Sequence, residues 1–357
     1  MPNSCRALSS NNIPKMQPKN AVKKALKSIA YKVVSREPLL DLARRTTLRN
    51  KTIVLMYHEI ANDHDEVDAW TVVKKSDFIR HMEYLSSHFR VVSLGEAIDR
   101  MSRPIEEPSP PTPMAVVTFD DGYKGNRSVL LPIIQSMRIP ITIFIASKAL
   151  HDQTLYWYDR LINKCNGNHF LVVDLTYLSL GKYRINAVRG SENWRQIERL
   201  LTDLKTLEPN TREKVVDDII GDARFSQQHD AYQVAPLAIR ELRELSECPL
   251  ITIGAHSHCH NLLTQLSDSD IESSVKTSKQ VLESWSDRPV RYFAYPNGTY
   301  NNTVIRIVQA SGFQCGLSTV PKPWEKRESL FTIPRLGIGR YDSFDYFKAK
   351  ISGSLAS

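Results

Sequence analysis

Short apolar, β-branched runs recur along this chain, with helical periodicity or loops between them, and several stop abruptly at ionisable residues. Lys51–Ile60 reads as a buried strand that delivers His58, Ala115–Tyr123 as one that delivers Asp120 and Asp121, and Ile251–Leu263 as one that delivers His256 and His260. Ile141–Ile145 and Tyr292–Gly298 are further strands, the latter ending in Tyr295, Pro296 and Asn297. Between them the spacing predicts helices near 77–89, 129–137 and 268–285, and a Pro-rich loop from Arg103 to Pro113. Such alternation is the pattern of an α/β fold with parallel strands. Because the ionisable residues gather at the C-terminal ends of those strands, the expected architecture is an irregular (β/α) barrel with its site on that rim.

Residues 151–235 break the rhythm. Trp194–Leu207 and Thr211–Ile220 read as amphipathic helices, so this stretch is expected to be a helical insertion in a catalytic domain spanning 51–345. Its aromatic cluster, Tyr156, Trp157 and Tyr158 before Asp159, either stacks on sugar rings at the rim or fills the insertion's own core. Residues 346–357 read as a C-terminal tail.

Charge is distributed unevenly. Residues 1–51 hold twelve basic side chains against Glu37 and Asp41, leaving 35 basic and 37 acidic residues for the rest of a chain whose net charge is +8. The positive excess therefore belongs to the N-terminal extension, residues 1–50. Within it Val22, Ala25, Leu26, Ile29, Ala30 and Val33 recur at helical spacing among lysines. A basic amphipathic helix over 20–34 either lies on an anionic membrane or packs its apolar stripe on the catalytic body; nucleic acid is the weaker partner. No stretch has the roughly 20 apolar residues needed to span a bilayer, nor a signal-peptide core. Five scattered cysteines without a C-x-x-C pair favour a reducing compartment. The expected location is cytoplasmic, peripheral to the inner face of a membrane if the basic helix binds lipid.

An Asp-Asp-Gly triplet by itself is a common turn, and a His-rich turn is often a surface feature. Taken together they suggest more. Two adjacent carboxylates at the end of a buried strand need a nearby cation, and His256 and His260 stand four apart, which on a helical turn places both imidazoles on one face. Two neutral imidazoles and a carboxylate make a three-ligand metal site with positions left open.

Thr118-Phe119-Asp120-Asp121-Gly122 and His256-Ser257 with His260 resemble, in the same order, the T-F-D-D-G and H-[ST]-x-x-H motifs of the polysaccharide deacetylases, the carbohydrate esterase family 4 or NodB-homology domain. The resemblance extends loosely over residues 50–340. It implies that Asp120 is a general base and that Asp121, His256 and His260 hold a divalent metal, with zinc the expected ion and other transition metals open. It also implies an N-acetylated carbohydrate substrate, lipid-linked or nucleotide-linked if the location above is right, and Tyr123 as a backbone donor to the oxyanion. O-deacetylation, or glycan binding without turnover, are the alternatives.

Typical members carry a late L-x-H motif whose histidine protonates the leaving amine, but all ten histidines here lie at or before His260. Met56-Tyr57-His58 resembles the early equivalent in a permuted branch similar to the PgaB and IcaB deacetylases, which makes His58 the candidate acid. Phe293-Ala294-Tyr295-Pro296 is similar to the same branch, although the arginine of the common R-x-P-[FY] motif is missing. Arg335, after Phe331-Thr332-Ile333-Pro334, is its candidate replacement, with a plain surface arginine as the alternative.

Overall fold

A computed structural model describes residues 31–103, 112–166, 170–186, 190–221 and 233–354. In chain order the strands are β1 (Lys51–Tyr57), β2 (Glu59–Ala61), β3 (Val72–Lys74), β4 (Arg90–Val91), β5 (Met114–Phe119), β6 (Ile141–Ile145), β7 (Phe170–Asp174), β8 (Lys182–Asn186) and β9 (Ile251–Ala255). They are followed by β10 (Tyr292–Ala294), β11 (Cys315–Leu317), β12 (Trp324–Glu325) and β13 (Leu336–Gly337).

The main sheet runs β11-β10-β9-β6-β5-β1-β12, with β13 also on β1 and β4 on β5. All its pairings are parallel except β1 with β12. Strands β1, β5 and β6 are buried almost end to end, because helices cover one side and the curled sheet fills the other. The sheet closes through a strap. Residues 330–337 bond to β11 through Gly316 N–H to the Leu330 carbonyl (2.9 Å) and Ser318 N–H to the Ile333 carbonyl (2.8 Å), then run into β13, where Leu336 pairs with Leu55. The result is the irregular barrel that the strand pattern predicts, and Arg335 lies on its closing strap.

Helices wrap the outside by their apolar stripes. Asp268–Ser286 is capped by Ser267, whose hydroxyl accepts from the Asp270 N–H, and buries Ile271, Val275 and Leu282. Lys75–His88 likewise buries Phe78, Met82 and Leu85.

Three expectations meet a different local structure. The 151–235 stretch is not only helical: it carries an antiparallel hairpin, β7 with β8, whose alternate residues Leu171, Val173, Tyr183 and Ile185 pack on Trp194, Ile197 and Leu201 of the helix Ser191–Leu204. The period-two alternation of these strands is visible in the sequence but short enough to pass for loop. Residues 346–354 are no tail, since the helix Phe344–Ile351 buries Phe347, Ala349 and Ile351 in the barrel's main core. The described part of the N-terminal extension docks on that same helix: Tyr31 stacks edge-on with Tyr346 at 5.0 Å, and Leu40 and Leu48 are buried. Most of the 20–34 helix and of the Pro-rich loop lies outside the described residues. Among the described residues no helix is long and apolar enough to cross a membrane.

Candidate metal centre and active site

Strands β5, β9 and β1, with the strap, bring their chemistry to one end of the barrel. At the end of β5 the backbone turns sharply, with φ of +74° at Asp121 and +81° at Gly122. This sends the two buried carboxylates to different partners.

Asp120 faces Arg335. The guanidinium donates from Nη1 to Oδ1 and from Nη2 to Oδ2, both at 2.7 Å, so the pair is a bidentate fork. Arg335 is itself fully buried, and it is held by Nε donating to the Ser318 carbonyl (3.0 Å) and Nη1 to the Thr118 hydroxyl (3.2 Å). Burial would raise the Asp120 pKa, but Arg335 outweighs it and keeps the carboxyl below its usual value and ionised. The surface-arginine alternative is thereby excluded.

Asp121 faces the histidines. Its Oδ1 lies 3.2 Å from His260 Nε2 and 3.5 Å from His256 Nε2, and the two Nε2 atoms are 3.2 Å apart. His256 Nδ1 is 2.7 Å from the Ala294 carbonyl, which requires the proton there and leaves Nε2 a bare lone pair. Burial lowers the His256 pKa to about 4, so the ring is neutral. Among the described residues, Asp121 Oδ1 is buried with no hydrogen-bonding neighbour besides the His260 ring. A carboxylate oxygen and imidazole lone pairs converging within 4.8 Å fit a divalent cation of borderline softness. The other carboxylate oxygen, Oδ2, accepts from the Tyr123 hydroxyl at 2.9 Å, and Tyr123 also lies 2.9 Å from Asp159 Oδ1.

The two histidines do not share a helical face. They belong to an irregular loop in which Ser257 (φ +65°) and His260 (φ +53°) are left-handed and the Ser257 hydroxyl accepts the His260 N–H at 3.1 Å. The side-chain oxygen takes the role of a backbone acceptor, so the loop closes tightly and the rings still meet.

His58 follows β1 immediately. Among the described residues its Nδ1 is buried without a hydrogen-bond partner, its ring meets Trp70 edge-on at 5.9 Å, and its carbonyl accepts from Asn126 Nδ2. Burial lowers its pKa, while Asp121 and Asp120 pull the other way.

Tyr295 and Pro296 are buried behind the rim. The Tyr295 hydroxyl donates to the Phe331 carbonyl (2.9 Å), so these two shape the strap rather than face the carboxylates. Asn297 is exposed and accepts from Lys205 Nζ at 2.7 Å. The aromatic cluster divides between both alternatives: Trp157 joins the insertion's core, whereas the rings of Tyr156 and Tyr158 sit 5.3 and 5.1 Å from His260. Sequence reasoning missed Asp159, Trp70, Lys205 and Arg212. Only Asp159 carried a signal, a lone carboxylate beside three aromatics.

The polysaccharide deacetylase family model matches residues 224–316, which include both histidines. The Bacillus subtilis (strain 168) protein YxkH, which bears the name of a polysaccharide deacetylase, is 19% identical over 95% of this chain and 88% of its own length. Among solved structures, the Streptococcus pyogenes deacetylase PplD in complex with acetate superposes with a TM-score of 0.53 at 16% identity, covering 84% of this chain and 96% of that one. BC0361, a polysaccharide deacetylase from Bacillus cereus, gives 0.53 at 17% identity over 85% and 69%. With its barrel, its adjacent aspartates and its paired histidines, the chain is similar to the polysaccharide deacetylases, in sequence over residues 224–316 and in fold over most of its length.

Proposed function

We propose that this protein is a metal-dependent N-deacetylase that removes the acetyl group from an amino sugar in a glycan or a lipid-linked glycan precursor. The observation that carries the reading is the division of labour at the end of β5: one carboxylate clamped by Arg335, its neighbour turned to two imidazoles.

Asp121, His256 and His260 are the residues that would hold the cation, zinc being the best fit to a carboxylate and two imidazoles. When bound, such an ion supplies Lewis acidity, which acidifies water and polarises an acyl oxygen. Asp120 is the base. Kept ionised by Arg335, it accepts a proton from the attacking water and is oriented by the fork, so that little rearrangement accompanies the transfer. The Tyr123 backbone N–H stabilises the oxyanion. His58 is the acid, passing a proton to the departing nitrogen as the carbon–nitrogen bond breaks, and acetate and a free amine leave. Burial lowers its pKa, and Asp121 and Asp120 oppose that and favour the protonated ring that the step requires. PplD was solved in complex with acetate, the small product this reaction releases.

Acetate release from a panel of N-acetylated acceptors tests the activity. Asp120→Asn is expected to keep its zinc content, since Asp120 is not among the proposed ligands, while turnover falls roughly 10²–10⁴-fold. Normal turnover in that variant would remove Asp120 from the base role.

A further inference from the structure

The 151–235 insertion reaches over the rim with two cations. Lys205, which follows the helix Ser191–Leu204, donates from Nζ to Asn297 Oδ1 (2.7 Å), on the loop just beyond Ala294, whose carbonyl orients His256. Arg212, in the helix Pro209–Gly221, donates from Nη2 to Asn261 Oδ1 (3.3 Å), the residue after His260, and lies over the Trp157 ring at 4.9 Å. Arg212 therefore meets the loop that carries both imidazoles, and Lys205 meets the neighbouring loop that follows β10.

Neither touches an acid directly, although Glu198 acts on Lys205, and Glu213 and Glu208 act on Arg212, at longer range. Among the described residues, Lys205 and Arg212 make no ion pair; their polar partners are neutral side-chain amides. Arg212 is only 2% exposed, and its Nε is buried with no acceptor among the described residues. A buried guanidinium with no acid in contact is costly, and ionisable groups perturbed in this way cluster at functional sites. Burial lowers the Lys205 pKa, opposed by the negative field of Asp121.

We propose that Lys205, backed by Arg212, forms an oxyanion subsite for a phosphate or carboxylate carried by the acetylated sugar, so that the enzyme selects anionic rather than neutral acceptors. This rests on the N-deacetylase reading and specifies its substrate class. Lys205, the more accessible of the two, contacts the anion, and Arg212 adds its field through Asn261 and the rim.

The test is calorimetric binding to full-length, zinc-loaded Asp120→Asn protein of N-acetylglucosamine, N-acetylglucosamine 1-phosphate and an N-acetylglucosamine–glucuronate disaccharide. Acetate release from the same three by the wild type is measured in parallel. One of the anionic sugars is expected to bind at least about ten-fold more tightly than the neutral one, and which of them does so separates phosphate from carboxylate. That ratio should collapse towards one in Lys205→Gln and invert in Lys205→Glu. Equal affinities for all three, or a preference that survives both substitutions because the anion sits on the zinc, would overturn the subsite. If the ratio behaves as expected but no acceptor yields acetate, the subsite stands and the N-deacetylase reading fails.

Discussion

Asp120 and Asp121 are identical in chemistry and adjacent in sequence, yet the turn between them separates their roles. A left-handed Asp121 costs about 1–2 kcal/mol relative to ordinary backbone. What offsets it is the pair of destinations it opens, an arginine fork and an imidazole pair. Tyr123 supports the second. Its single hydroxyl proton can go to only one carboxylate, and Asp159, buried and repelled by Asp121, has its pKa raised well above the usual value, so the acid proton resides on Asp159 and Tyr123 donates to Asp121. Tyr123→Phe should therefore weaken zinc binding about 10–100-fold, read by chelator competition, with little change in the far-UV spectrum. His58 allows a different separation. An ester expels its leaving group without needing protonation as much as an amide does, so His58→Ala should lose roughly 10²–10⁴ of its amide turnover and much less of its ester turnover. Equal losses on matched N- and O-acetyl sugars would argue against the acid role.

Among elements, the contact between the helices Lys75–His88 and Phe344–Ile351 carries a charge-sensitive core. His81 is stacked on Phe347 at 3.9 Å, and its Nδ1 lies 3.2 Å from the Tyr57 hydroxyl. Burial lowers its pKa to about 3, whereas in the unfolded chain it titrates near 6.5. Its contribution to stability is thus complete above about pH 6.5 and is lost as the pH falls towards 3, because only the unfolded chain takes up the proton. Unfolding free energies from urea titration should decline across that window, by up to about 1.4 kcal/mol per pH unit, and His81→Gln should flatten this part of the profile. The two helices were legible to different degrees. Phe78, Met82 and Leu85 sit at plain helical spacing, whereas the eight residues of the last helix are too few, and too close to the end of the chain, to stand out from a tail.

Over the whole molecule, ligands of the proposed metal come from strands more than 130 residues apart in sequence, so metal binding should be linked to global folding. Zinc at roughly a hundred-fold over its dissociation constant is expected to stabilise the wild type by about 2.7 kcal/mol, and chelation to reverse this. His260→Ala should show neither change; a metal-dependent melting shift persisting in that variant would move the ion elsewhere.

The groups that the structure gathers at the candidate site could be picked out along the chain because strand ends announce them: β-branched runs are easily recognised, and a buried strand that stops at a carboxylate or imidazole stands out without coordinates. What the linear order could not contain was how distant segments meet. That Arg335 rather than another arginine grips Asp120 follows from a strap that closes the barrel between β11 and β1, a pairing of residues over 200 apart. That His256 and His260 converge through two left-handed residues instead of a helical turn depends on a serine hydroxyl replacing a backbone acceptor. That the insertion sets Tyr156, Tyr158, Lys205 and Arg212 around the rim depends on how its second hydrophobic core seats on the first. Local pattern specifies which groups a strand presents, since side-chain period and burial are set by neighbours in sequence; which groups face one another is decided by long-range packing, where the free energy lies in contacts that no local window contains.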